Sequence, residues 1–477
     1  MQKSSGDKTT SKWFRHSSAD RISTKAIIVT QLKKQYPNLD LTITSRATNL
    51  LGYAAAGFAQ FNLVADESGE FPSSIDDTEY IPAARRLDPS PGYLVTWQSF
   101  AKYLYKWKGH DFIVYLIEGA EASDVFSLSQ NYFILSTDRQ KADELLLAVG
   151  KWSNDLHGEV LVFDEGFWQK NAQLYDSVMK ASWDAVILDA DMKKAIIDDH
   201  LSFYESRETY DKLKVSWKRG IIYHGPPGNG KTISIKATMK MLYQLKEPVP
   251  TLYVRSLVSW KGPEGALNDI FTKARQFAPC YLVFEDLDSI IDDEVRSYFL
   301  NEVDGIKNND GIFMIGSTNH LERLDPGISK RPSRFDRKYY FPNPSFSERV
   351  QYCKFWQTKL AENKEIEFPD KLCDAIAGIT DKFSFAYIQE AFVASLLALA
   401  RNKAPKERAN ARCRAVTVRD VQIDELSDDW VGLSLDKGDD GDDDDLKDLI
   451  LWVEIKKQIK ILREAIEDGN DDDKSTK

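Results

Sequence analysis

One stretch in the middle of the chain has the residue types and spacing to hold phosphate. Gly225-Pro226-Pro227-Gly228-Asn229-Gly230-Lys231-Thr232 satisfies the pattern G-x-x-x-x-G-K-[ST] in full. Glycines let a backbone wrap closely around an oxyanion, whose charge meets amide N–H groups at a helix start. A lysine at this place reaches the β- and γ-phosphates, and the Thr232 hydroxyl suits Mg²⁺. The flanks agree. Gly220 to His224 is a short buried-strand candidate, and Thr232 to Tyr243 can form the helix that follows. The expected chemistry is binding of ATP with Mg²⁺.

Two more apolar runs end in polar tips. Cys280 to Phe284 closes on Glu285-Asp286-Leu287-Asp288. After a phosphate loop, such a pair can divide the work: one carboxylate in the Mg²⁺ shell, its neighbour orienting or deprotonating the attacking water. Ile312 to Ser317 leads into Thr318-Asn319. By itself an asparagine there reads as a turn residue. Taken singly, Arg331 and Arg334 read as surface ion-pair partners and Trp260 as a ring packed on its own domain.

Read together, these segments resemble an AAA ATPase. Trp183-Asp184-Ala185-Val186-Ile187-Leu188, Arg219-Gly220 and the Glu285-Asp286 order are most similar to the group containing the mitochondrial inner-membrane AAA chaperone for Rieske-protein assembly. The family usually places Asp before Glu, so by position Glu285 would serve the metal and Asp286 the water. The resemblance makes Asn319 the sensor that orients the water. It makes Arg331 and Arg334, in Arg331-Pro332-Ser333-Arg334-Phe335-Asp336-Arg337, the arginine fingers acting on a neighbouring subunit's γ-phosphate. Fingers of that kind imply a ring homo-oligomer, a hexamer by analogy. Trp260-Lys261-Gly262 matches the aromatic pore loop of threading members, with Lys261 where an apolar residue is usual. Lys382 to Ile388 matches a nucleotide-contacting lid segment, with Phe385 for glycine and Tyr387 for an acid.

Those residues need elements to hold them. The fold expected is α/β: a P-loop AAA domain of parallel strands flanked by helices over 181–344, a helical C-terminal lid over 345–430, and a mixed α/β domain over 23–180 for a client or partner. Residues 1–22 read as a flexible tail, 431–448 as an acidic linker, 449–467 as an amphipathic helix and 468–477 as a second tail. In the amphipathic segment Trp452, Ile455, Ile459, Leu462 and Ile466 fall at three- and four-residue spacing, a short coiled-coil-like stripe that suits docking on its own domain or, as the alternative, binding a partner. Glu67 to Pro91, with Pro72, Pro82, Pro89 and Pro91, reads as a loop. The charge-free run Ala47 to Ala65 reads as a buried helix, because Asn49, Gln60 and Asn62 are costly in hydrocarbon.

Bulk properties narrow the partners. At 477 residues, 42% of them hydrophobic, the chain has material for more than one core. A formal charge of -11 with no basic stripe argues against a nucleic-acid motor. Cys280, Cys353, Cys373 and Cys413 stand far apart, which suits a reducing compartment and no zinc site. The expected setting is intracellular, cytoplasmic or nuclear, with a mitochondrial alternative, and a membrane is not an expected partner. The function expected is an ATP-hydrolysing ring that remodels, unfolds or translocates protein clients. The alternatives are a nucleotide-switched scaffold with little turnover and a membrane-associated chaperone for folded clients.

Overall fold

A computed structural model describes residues 23–65, 72–83, 91–121, 124–304, 307–331, 334–363, 365–403, 446–447 and 449–472. Several expectations fall outside these residues: the tail over 1–22, Pro332 and Ser333, the lid beyond 403, and nearly all of the acidic linker. The chain divides after His157 into two units.

The first unit grows from strands whose residues alternate in character. It comprises α1 (Thr24–Gln35), β1 (Asp40–Ser45), α2 (Leu50–Ala55), β2 (Gln60–Leu63), β3 (Ser74–Ile81), β4 (Tyr93–Trp107), β5 (His110–Glu121), β6 (Asp124–Ser136) and α3 (Arg139–Asn154). All its pairings are antiparallel, in the order β1-β6-β5-β4-β2, with β3 also on β4. Lys108 and Gly109, both at positive φ, make the two-residue turn that sets the β4–β5 register. Phe112, Val114, Tyr132 and Ile134 face one way, against Ala142, Leu145 and Val149 of α3. Tyr115, Ile117, Phe133 and Leu135 face the other way, against Leu32 of α1. Period-two side chains thus give the central strands a core on each face.

Two local expectations change here. The segment 67–91 contains β3, because Pro72 and Pro82 bracket that strand and do not interrupt it. The run Ala47 to Ala65 is helical only over α2, capped by Asn49, and then turns through Gly57 into β2. Among the described residues no helix is long and apolar enough to cross a membrane.

The second unit opens earlier than residue 181. β7 (Val160–Asp164) and β8 (Phe167–Asn171) form a hairpin, and β7 pairs in parallel with β10 (Thr251–Val254). Then come α4 (Ala172–Met179), α5 (Ala190–Glu205), β9 (Arg219–His224), α6 (Lys231–Tyr243), α7 (Gly262–Phe277), β11 (Cys280–Phe284), α8 (Arg296–Asp304), β12 (Ile312–Thr318) and β13 (Arg337–Tyr340). The sheet order is β13-β9-β12-β11-β10-β7-β8, parallel except for the β7–β8 pair. β11 and β12 are buried along their whole length, as strands covered on both faces must be. Ile196, Phe203, Ile235, Met239, Tyr281 and Phe313 join one core.

The described residues after 345 form four helices: α9 (Phe346–Leu360), α10 (Asp370–Ile379), α11 (Phe385–Lys403) and α12 (Ile450–Asp472). Ser345 and Glu348 form a capping box that starts α9. α12 runs past the expected end at 467. Its Leu451, Trp452, Ile455 and Ile459 are buried among Trp356, Leu372, Ile376 and Phe392 of the other three helices, so the terminal stripe docks in cis.

Candidate functional site

The phosphate loop lies between β9 and α6, where a buried strand hands the chain to a helix N-terminus. Gly228 has φ +78°, and a Cβ there would stand 2.5 Å from the Ala386 methyl. The Ala386 N–H donates to the Gly228 carbonyl at 3.2 Å, so the start of α11 lies directly on the loop. Lys231 Nζ donates to the Gly225 and Pro226 carbonyls at 2.7 and 2.9 Å. Burial lowers the pKa of this ammonium, and the Asp286 and Asp288 charges oppose that effect. Asn229 is spent elsewhere: its amide donates to Asn343 at 2.8 Å.

A cleft of about 510 Å³ opens over this loop. Pro227, Gly228, Gly230, Lys231 and Thr232 line it, with Asp286 and Asn319 from two strand ends. Gly225, Pro226 and Asn229 are not among its lining residues. Ala185 to Ile187 close one side, and Tyr352, Phe385, Ala386 and Gln389 close another. Sequence reasoning assigned no role to Tyr352, Gln389 or Ser317. It left the contact at Phe385 open, and Phe385 lines the cleft while Tyr387 does not. No local signal marks Tyr352 or Gln389, which reach the site only through packing of the helices after 345.

The acidic strand end splits in two directions. Asp286 sits at φ +52° with its N–H donating to Ser317 Oγ at 3.2 Å. Glu285 does not line the nucleotide-sized cleft. The Tyr253 hydroxyl donates to its carboxylate, and its other oxygen is buried with no hydrogen-bond partner among the described residues. Burial, then the Glu285 charge, raises the Tyr253 hydroxyl far above the usual tyrosine range. Glu285 instead borders a second cleft of about 640 Å³, together with Tyr253, Arg255, Ser259 and Asp292. Asp286 borders both clefts. Asp288 accepts the Thr318 hydroxyl at 2.6 Å.

Fit to Mg²⁺ and a triphosphate can be judged from the donors present. The cleft offers amides at a helix start, the Lys231 ammonium, the Thr232 hydroxyl and the Asp286 carboxylate. No cluster of three His, Cys, Asp or Glu side chains occurs among the described residues, so the protein alone forms no metal cage. That is the usual condition of Mg²⁺, which takes one or two protein oxygens and the rest from phosphate and water. Thr232 and Asp286 would hold it, and the ion would supply charge neutralisation at the phosphates.

The two arginines part company. Arg334 is buried at 6% exposure; its Nε and Nη2 donate to Asp304 at 2.7 and 2.6 Å, and its Nη1 to the Gly327 carbonyl at 2.6 Å. Hydrogen bonding between the two lowers the Asp304 pKa and raises that of Arg334. Arg331 is exposed, and its guanidinium makes no hydrogen bond or ion pair among the described residues. Neither arginine lines the cleft of its own chain. Trp260 is 76% exposed on the loop after β10. Lys261 reaches Asp269 at 2.6 Å, with its ammonium 5.5 Å from the Trp260 ring centre.

A parallel sheet with a phosphate loop after one strand, acidic and polar tips on its neighbours and helices closing the cleft defines a P-loop nucleotide-binding domain. Residues 221–343 match the ATPase family associated with various cellular activities (AAA). The chain therefore contains an AAA domain, which takes in the phosphate loop, the acidic strand end, Asn319 and both arginines.

Proposed function

We propose that this protein is an ATPase that remodels polypeptide clients as a ring homo-oligomer, with six subunits by family analogy. The observation that carries this is the convergence of Lys231, Thr232, Asp286 and Asn319 in one cleft. Among the described residues that cleft has no arginine in its lining, while the exposed Arg331 guanidinium makes no hydrogen bond or ion pair. A neighbouring copy would supply the missing cation, which is why the active unit is an oligomer. The exposed Trp260 offers an apolar grip for an extended chain. The first unit would select the client. The described cysteines Cys280, Cys353 and Cys373 are buried free thiols, which suits a reducing intracellular setting.

A second reading draws on Glu285. With that carboxylate held by Tyr253 and facing another cleft, the chain could bind ATP and assemble yet turn over slowly, as a nucleotide-switched scaffold. Steady-state ATP hydrolysis separates the two, measured with Lys231→Ala, Glu285→Gln and Asp286→Asn and with oligomeric state recorded for each. Turnover in the wild type with stalling in Asp286→Asn supports the motor. ATP binding and assembly with no turnover above the Lys231→Ala background refutes it and favours the scaffold.

A further inference from the structure

The loop that carries Trp260 leaves the end of β10 and has no regular structure before α7 begins at Gly262. A loop that must hold an exposed ring at a fixed height needs anchors, and within the motif only Lys261 supplies one outside the loop, to Asp269 at 2.6 Å. The structure adds further anchors from the β7–β8 hairpin, which lies outside the matched residues 221–343. The Asp164 carboxylate at the end of β7 accepts from Arg255 Nη1 at 2.9 Å and from Ser256 Oγ at 3.1 Å. The Arg255 N–H continues the ladder to the Phe163 carbonyl at 3.0 Å. Glu165 and Gly166, both at positive φ, form the hairpin's two-residue turn. Turn tips are normally solvated, yet Gly166 is buried. Ser259 covers it: a Cβ at Gly166 would meet Ser259 Oγ at 2.8 Å and its Cα at 3.1 Å.

We propose that Asp164 and Gly166 are positioning residues for the Trp260 loop, and that the β7–β8 hairpin is a built-in clamp on that loop. Asp164 ties down its first two residues, and the Gly166 turn seats Ser259, next to the tryptophan. The same loop forms one wall of the cleft whose other wall carries Glu285 and Asp292, so its position also sets the width of that cleft. This proposal rests on the reading of Trp260 as a client contact only for its consequence. The clamp itself is testable without it.

The test is hydrogen exchange over residues 255–262 in the assembled full chain, beside ATP turnover with and without a permanently unfolded polypeptide, carboxymethylated lactalbumin. Asp164→Ala should speed exchange there about three- to tenfold, the range for losing two partly exposed polar contacts. Ser256→Ala, a milder change on the loop side, should give about two- to threefold. Gln169→Ala, on the exposed face of β8, should change nothing. Pairing Asp164→Arg with Arg255→Asp should bring exchange back toward wild type, which a general loss of folding would not. Basal turnover of Asp164→Ala should stay within about twofold of wild type, while polypeptide-stimulated turnover falls. Unchanged exchange at 255–262 in both Asp164→Ala and Ser256→Ala overturns the clamp. Faster exchange in a protein whose wild type is not stimulated by polypeptide supports the clamp and overturns the client reading.

Discussion

Arg331→Ala and Arg334→Ala should fail in different ways, although the two residues stand in the same motif. Arg334→Ala removes two charge-assisted bonds to Asp304 and one to the Gly327 carbonyl, all from a side chain with 6% exposure. Charge-assisted bonds contribute about 1.5–3 kcal/mol each when buried. The Asp304 carboxylate, however, keeps 38% exposure and can be rehydrated, so the sum is discounted to about 3 kcal/mol of folding stability. Asp304→Asn should lose part of the same amount. The pair also has a pH signature. Because Arg334 holds the Asp304 pKa below its ordinary value, its stabilisation is present above the ordinary carboxylate range and is lost as pH falls through the lowered one. Arg331→Ala removes no hydrogen bond or ion pair among the described residues, only a solvent-screened charge near Asp304, and should cost under about 0.5 kcal/mol. Its effect should fall on turnover: a loss of about a hundredfold or more, with ATP binding retained and the assembly intact. Urea unfolding and steady-state turnover on the same preparations, with mass measured by light scattering, read both axes. An Arg334→Ala protein as stable as wild type but without turnover would refute the division. So would an Arg331→Ala protein with wild-type turnover.

Two further outcomes follow from buried groups outside the cleft. His200 on α5 is fully buried, stacked on Phe313 at 4.4 Å, and burial lowers its pKa to about 4. The unfolded chain therefore binds this proton first, near pH 6.5, so stability falls from there toward pH 4. From pH 7 to pH 5 wild type should lose about 2 kcal/mol more than His200→Phe in urea unfolding, and equal losses would refute the assignment. Trp452 on α12 is buried against α9–α11, so Trp452→Ala should cost about 3–5 kcal/mol in the melting of that segment. A cost below about 1 kcal/mol would mean that the helix docks elsewhere in solution.

What the sequence revealed follows the range of the interactions involved. The phosphate loop is local, and its strand and helix fall within a residue of their expected bounds. The α12 stripe is equally local: Trp452, Ile455 and Ile459 lie on one face because of helical spacing alone. The β7–β8 hairpin belongs to the second unit and not to the domain expected over 23–180, because its partner, β10, comes much later in the chain. A run such as Val160-Leu161-Val162-Phe163 says that it is a strand, not to which sheet it belongs. β3 escaped notice because it is an exposed strand of polar residues, Asp76 to Glu79, held by pairing with β4 and not by burial. The state of Arg334 was likewise illegible, since Asp304 and Gly327 meet it only in the fold.

The order Glu285-Asp286 has a physical reason in the backbone. The second of the two residues sits at φ +52°, in the left-handed region where short Asp and Asn side chains are tolerated better than longer ones. The first residue follows β11 directly, and its longer side chain meets the Tyr253 hydroxyl on β10. Each residue type therefore suits its own place. Exchanging them, Glu285→Asp with Asp286→Glu, conserves charge and composition but should fail on both counts. The left-handed glutamate costs about 1 kcal/mol of stability. The aspartate, one methylene shorter, loses the tyrosine bond, worth about another 1 kcal/mol after solvent screening. Urea unfolding should thus show a loss of about 2 kcal/mol, and adding Tyr253→Phe should cost the exchanged protein less than it costs wild type. If the exchanged protein is as stable as wild type, the order carries no structural preference. If Tyr253→Phe costs both proteins equally, the tyrosine bond does not hold the first carboxylate.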